Sequence, residues 1–279
     1  RSCRLTVKFT SVSETPYTVP TRRMLMSLPW DTDLRIAHHR CGFKKTLAMG
    51  PDFFGSFFRK ADAPLTNATI RKHLGTVLAP LLDSLGMPRH DGDFLWFSDF
   101  NQDGIRRVFK YSQVKSSAGL FSWGVCLRHV PTISAMRKLQ YHWTDKNITL
   151  HLWEWPRGYF TSLEHDVEPT DIISLESEKA LKRDALEVIS RYRTEIEAWY
   201  KQSDTLAGCT AIADKQIQHG GAYNLRWPSP HYVKIFLLGL QGRKAEAKEL
   251  LAQRSATASK GNSDWRNLAI EVEKAIEAM

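Results

Sequence analysis

The chain has 279 residues, 42% of them hydrophobic and 25% charged, a composition that supports a buried core and excludes a wholly disordered protein. The formal net charge is +9 and unevenly placed: residues 1–160 carry 23 Lys and Arg against 12 Asp and Glu (+11), whereas residues 161–279 carry 16 against 18 (−2). No run of 18 apolar residues occurs, so no membrane-spanning helix is expected, and scattered Cys3, Cys41, Cys126 and Cys209 form no CxxC pair, which speaks against a disulfide framework or structural zinc and for a reducing, cytoplasmic setting.

Residues 1–30 read as an N-terminal arm, polar and β-branched, and residues 1–23 lack the apolar stretch of a secretory signal. From 31 to 63 short signals mix: Asp31-Thr32-Asp33 can cap a helix through His39, and Gly42, Gly50-Pro51 and Gly55 break the chain beyond it. The first strong helix is predicted from Thr66 to Leu85, with Ile70, Leu74, Val77, Leu78, Leu81, Leu82 and Leu85 at spacings of three and four. Gly86 and Pro88 stop it, and Pro80 is expected to kink or split it.

The period then changes to two. Phe94–Phe97, residues 107–114, residues 121–130 and Ile148–Leu152 predict four antiparallel strands, with Phe121, Trp123, Val125 and Leu127 facing one way and Ser122, Gly124, Cys126 and Arg128 the other. From about residue 170 the helical period returns. It places Leu181, Ala185, Val188, Ile189, Tyr192, Ile196 and Trp199 on one stripe. Further helices follow over 204–219, after the Ser229-Pro230 cap, over 245–253 and over 263–278. Phe236–Leu251 has the look of a single tetratricopeptide-like hairpin with no second copy. The expected architecture is α+β: a helix packed on a four-stranded antiparallel sheet over residues 31–160, then a helical bundle over 161–279.

Few residues carry chemistry by pattern. Asp99-Phe-Asn101-Gln-Asp103-Gly104 opens like a calcium loop, but its twelfth position is Lys110 where a bidentate acid is needed, so it reads as a hairpin turn. His38-His39 with Cys41, and His90 with Asp91 and Asp93, offer ligand atoms. Neighbouring side chains diverge, however, and no metal motif supports them, so no metal or cofactor is expected. No nucleophile elbow or glycine-rich phosphate loop occurs. Glu154, between Trp153 and Trp155, is an acid in an aromatic setting, where a raised pKa would suit a hydrolase; a second carboxylate would be needed. Arg106, Arg107, Lys110, Tyr111, Lys115 and Arg128, with Arg137 and Lys138 beyond, interleave bases with an aromatic, a pattern able to hold single-stranded nucleic acid by stacking and phosphate contacts.

Leu78-Ala-Pro-Leu-Leu-Asp-Ser-Leu-Gly86, Tyr111-Ser-Gln113-Val-Lys-Ser116 and Phe121-Ser-Trp-Gly124-Val125 resemble the bacterial family catalogued as domain of unknown function 4304, across about residues 66–130. Met87 stands where that family has an aromatic, Gln113-Val-Lys interrupts its Gln-Lys, and Trp123 replaces its Asn. The family carries no assigned activity. By analogy with small bacterial α+β proteins encoded beside toxins, the resemblance implies a non-catalytic protein-binding role, as in an immunity- or defence-type factor. The leading expectation is therefore a protein partner, with an acidic surface or toxin as its kind and Trp153 and Trp155 among the contacts. Nucleic-acid binding and hydrolysis at Glu154 are the alternatives.

Overall fold

The computed structural model describes residues 65–115, 118–134, 138–159, 161, 170–221, 223, 227–258 and 263–279. The expected arm, the helix at 31–39, Cys3, Cys41, His38, His39 and Arg137 lie outside them. The chain has an α+β fold with an antiparallel sheet, and its described helices after the sheet run to the C-terminus.

Helix α1 (Asn67–Ser84) begins where the Thr66 hydroxyl accepts the Thr69 N–H at 3.2 Å. It ends in a Schellman turn: Gly86 takes φ +63°, its N–H reaches Asp83 O at 3.1 Å, and Met87 N–H reaches Leu82 O at 2.9 Å. Met87 is buried there and seals the turn. Pro80 does not split the helix; it lies on the exposed side, where its missing N–H removes one hydrogen bond from a helix held by its apolar face.

Among the described residues the sheet has six strands, not four. Strands β1 (Arg89–His90), β2 (Leu95–Phe97), β3 (Ile105–Lys115), β4 (Ala118–Leu127) and β7 (Leu152–Glu154) lie side by side, and β8 (Ile173–Ser174) pairs with the other end of β4. Two-residue strands are too short to show alternation, which is why β1 and β8 escape the pattern. A separate hairpin joins β5 (Thr132–Ile133) to β6 (Leu139–Gln140). The strand expected at Ile148–Leu152 begins only at Leu152; Ile148 and Leu150 instead pack on Phe97, Val108 and Cys126.

Both sheet faces are covered, and all ten residues of β4 are buried. Cross-strand register puts Ile105, Arg107, Phe109 and Tyr111 of β3 on one face with Leu127, Val125, Trp123 and Phe121 of β4. Helix α2 (Glu178–Ser203) belongs to this side: Tyr192 meets the Trp123 ring, and the Tyr200 hydroxyl donates to Val108 O at 2.7 Å. Trp123 is fully buried, a transfer free energy on the order of 5 kcal/mol. Helix α1 runs chiefly along α2, and its Ile70, Leu74 and Leu78 join the same core as Phe109, Phe121 and the helical residues Val233, Phe236 and Ile276. The change of period near residue 170 thus marks a change of element type, and the described residues on both sides of it share one core.

Helices α3 (Leu206–His219), α4 (Pro230–Leu240), α5 (Lys244–Ala258) and α6 (Ser263–Glu277) complete the chain. Ser177, Thr205 and Ser229 cap α2, α3 and α4 as Thr66 caps α1. Gly124 is required by a close approach: a Cβ there would sit 2.2 Å from Leu152 O, in the backbone of β7. Gly124→Ala is therefore expected to push β7 outward and lower stability by about 2–3 kcal/mol in urea unfolding. A loss below about 0.5 kcal/mol would mean that β7 moves freely.

Candidate functional site

The basic and aromatic residues of β3 do not form one surface. Alternation sends Arg106 and Lys110 to one face and Arg107 and Tyr111 to the other. Arg106 is buried, with its guanidinium 4.9 Å from the Phe97 ring centre and 4.1 Å from Phe100, and Nη1 lies 2.9 Å from an Asp145 oxygen. Arg107 spans three elements: Nε and Nη2 donate to the Asp204 carboxylate after α2, and Nη1 donates to Leu85 O at the end of α1, at 2.9 Å. Tyr111 is buried against Phe94 and Phe121, and burial pushes its hydroxyl up to about 12. Lys110 is half-buried and Lys115 ends β3. Arginines 71, 89, 106, 107 and 157 are each paired with a carboxylate. This differs from the expected open basic stripe, because β3 is covered on both faces and side chains of both alternating sets are buried.

Arg128 lies exposed just past β4. Beside it stands Trp143, which sequence reasoning passed over. Trp143 is 60% exposed, yet it is fixed: Nε1–H donates to Arg128 O at 3.0 Å, and the ring rests on Tyr141 at 5.4 Å with planes 32° apart. His129 and Lys146 are exposed nearby in sequence, and the adjacent acid, Asp145, is engaged by Arg89 and Arg106. The signal was present as Tyr141-His142-Trp143, aromatics in a stretch with no strand or helix period.

Two buried histidines hold this segment to the sheet. His151 Nδ1 accepts the Leu127 N–H at 2.9 Å, which requires Nε2–H to donate to Val130 O at 2.7 Å. His142 bridges Asn147 O and the Thr132 hydroxyl, and the two rings meet edge to face at 5.1 Å. Burial lowers both pKa values, that of His151 to about 3.

Compared with family models, curated proteins and solved structures, the chain matches none. Function must therefore be argued from these side chains.

The second constellation surrounds Glu154 at the end of β7. Its Oε1 accepts the Tyr223 hydroxyl at 2.6 Å and the Trp155 N–H at 3.2 Å. Rings run on either side: Trp155 touches Trp153 at 4.3 Å and Tyr159 edge-on at 5.4 Å, while Tyr223 touches Trp153 at 5.2 Å and His219 at 5.4 Å. Trp153 is buried, Trp155 and Tyr159 half-buried. Burial, with a lesser push from the Glu195 charge, raises the Glu154 pKa against the pull of Tyr223, Trp155 N–H and His219. Glu195 is itself paired with Arg157 at 3.3 Å. Glu154, Trp153 and Trp155 were legible as one run of sequence; Glu195, His219 and Tyr223 come from α2, α3 and the turn after α3, which no local pattern links to β7.

The calcium-like segment is a turn: Asn101 Oδ1 accepts the N–H groups of Asp103 and Ile105, and Gly104 takes φ +71°. His90 likewise closes its own turn through Gly92 N–H and Asp93 O. Among the described residues no group of three or more His, Cys, Asp or Glu is placed to hold a metal, and no helix is long and apolar enough to cross a membrane.

Proposed function

We propose that the chain is a non-catalytic binding protein whose partner is another protein, anchored by Trp143 with Tyr141 and Arg128. The observation that carries this is the exposed but immobilised Trp143 ring. Trp, Tyr and Arg dominate the energetics of protein interfaces because they bury much area for little lost freedom. Here that freedom is already spent within the chain, through the bond to Arg128 O. Exposed Arg128 and Lys146 favour a partner with an acidic rim. The family resemblance extends the reading to an immunity- or defence-type factor, and the free buried thiols of Cys126 and Cys209 suit the cytoplasm.

Trp143→Ala is expected to weaken a recovered protein partner at least thirtyfold, about 2 kcal/mol. Urea unfolding should stay within about 0.5 kcal/mol of wild type, because an exposed ring holds little of the core. Leu186→Ala, an exposed apolar residue on α2, is the control and should leave binding unchanged. Equal affinity of the Trp143 variant defeats the proposal. So does recovered material that is nucleic acid, released by nuclease and by modest salt, which instead supports stacking and phosphate contacts at Trp143 and Arg128.

A further inference from the structure

Residues 141–151 belong to no helix or strand, so no ladder of backbone bonds fixes them. Within this stretch the Trp143 ring is held by one hydrogen bond and one ring contact. A single neutral hydrogen bond at an exposed position adds little net free energy, less than ordering the residues around it costs. The backbone that carries the ring therefore needs an anchor of its own.

Side chains close the stretch on itself. Asn147 Nδ2–H donates to Tyr141 O at 3.1 Å, while His142 donates to Asn147 O at 2.9 Å and accepts the Thr132 hydroxyl at 2.8 Å. Between these bonds Asp145, two residues after Trp143, reaches the sheet. Two arginines from different strands meet its carboxylate, and they act differently. Arg106 of β3 brings charge: Nη1 lies 2.9 Å from Oδ1, yet neither Nη1 nor Nε has an aligned acceptor. Arg89 of β1 supplies the directed bond, from Nη2–H to Oδ2. Arg89 is itself fixed, since Nη1–H donates to Asp99 Oδ1 at 2.5 Å and the guanidinium lies 5.5 Å from the Phe97 ring centre. One carboxylate thus ties the irregular segment to β1 and β3 together.

We propose that Asp145 is a positioning residue for the Trp143 surface, holding that ring in place through Arg89 and Arg106. This deepens the reading of Trp143 as a protein contact and rests on it. With the tether cut, the ring has to be ordered again on binding, and affinity falls with the fraction of time it stands in place.

The test separates position from stability, because two variants of matched expected stability differ in the tether. Arg106→Met keeps Asp145 on Arg89. Arg106→Met/Asp145→Ala removes the carboxylate, and in neither variant is a buried Arg106 charge left unpaired. The readout is exchange of the Trp143 Nε1–H with water, followed by NMR in the full chain without a partner. Its resonance, among nine tryptophans, is the one lost in Trp143→Phe. The Nε1–H of fully buried Trp123 serves as the reference for global opening. Trp143 exchange should stay within about twofold of wild type in Arg106→Met and rise at least about fivefold in the double variant, while Trp123 exchange stays within about twofold. Arg89→Met/Arg106→Met, which leaves Asp145 with neither cation, should release Trp143 as well, and it decides the matter if the Asp145 variant does not fold. Equal Trp143 exchange in Arg106→Met and Arg106→Met/Asp145→Ala overturns the proposal, as does an acceleration that Trp123 shares. The two readings fail apart: a partner indifferent to Trp143→Ala strikes the contact, whereas an indole indifferent to Asp145 strikes the tether.

Discussion

Asp145→Ala is expected to destabilise the protein by about 3 kcal/mol, because it leaves the Arg106 cation buried without a carboxylate. Arg106 is 3% exposed, sandwiched between Phe97 and Phe100, and Asp145 Oδ1 lies 2.9 Å from its Nη1. A truncated partner of a buried pair costs roughly 3–5 kcal/mol. The lower figure applies here because the Asp145 side chain is 38% exposed and water can reach the gap it leaves. Arg89 also loses Asp145 but keeps Asp99, so little of the effect arises there. Arg106→Met should be far milder, within about 1.5 kcal/mol of wild type, since Met fills the slot between two rings without a charge to desolvate. The double variant Arg106→Met/Asp145→Ala should lie near Arg106→Met alone. Urea unfolding of the three proteins measures the coupling directly. A loss below about 1 kcal/mol for Asp145→Ala would place this pair with ordinary surface ion pairs and reopen Arg106 as a residue available to a partner.

That pair also shows where sequence reasoning stopped. Hydrophobic period located α1, β3, β4 and α2 within a few residues, and the caps at Thr66 and Ser229 followed from local chemistry that one residue type satisfies. The second face of the sheet was not legible. Ser122, Gly124 and Cys126 fall opposite Phe121 and Trp123 with nothing in their alternation to say what covers them, and the segment through Ile148 and Leu150 folds over that face. A strand's own alternation reports only that its two faces differ, not that an irregular segment will cover the second. The same limit governed the candidate residues. Arg106 and Arg107 are adjacent in sequence, so they read as one basic patch. In the sheet they answer to different carboxylates, Asp145 and Asp204, on opposite faces. Glu154 was singled out by its flanking tryptophans, but Tyr223 and Glu195 reach it from elements with which it shares no spacing.

Stability is expected to fall as pH drops below about 6.5, by on the order of 1.4 kcal/mol per pH unit from His151 alone. In the folded chain the His151 pKa is lowered to about 3, first by burial and then by His142. In the unfolded chain it returns to about 6.5. Between those values the unfolded state holds a proton that the native state refuses, so acid favours unfolding; above about 6.5 both states are neutral and the contribution is flat. His142, lowered by burial, has the same sign and steepens the slope, as do the more accessible His129 and His231. Glu246 and Glu277, lowered by Arg243 and Lys248, add to the loss only at lower pH, whereas Glu154, raised by burial, has the opposite sign and offsets part of the histidine effect. Urea unfolding at pH 7.5, 6 and 5 should therefore show a monotonic loss, and the His151 ring should remain neutral by NMR across that range in the native protein. A flat profile, or a folded-state titration of His151 near 6.5, would show that water reaches the ring. The consequence for binding is physical: His142 and His151 pin the segment that carries Tyr141 and Trp143 to Leu127, Val130 and Thr132. Protonating His151 would remove the acceptor for Leu127 N–H, so in the native protein the surface on which Trp143 is held should stay intact from pH 7.5 to 5 and loosen only as pH approaches about 3.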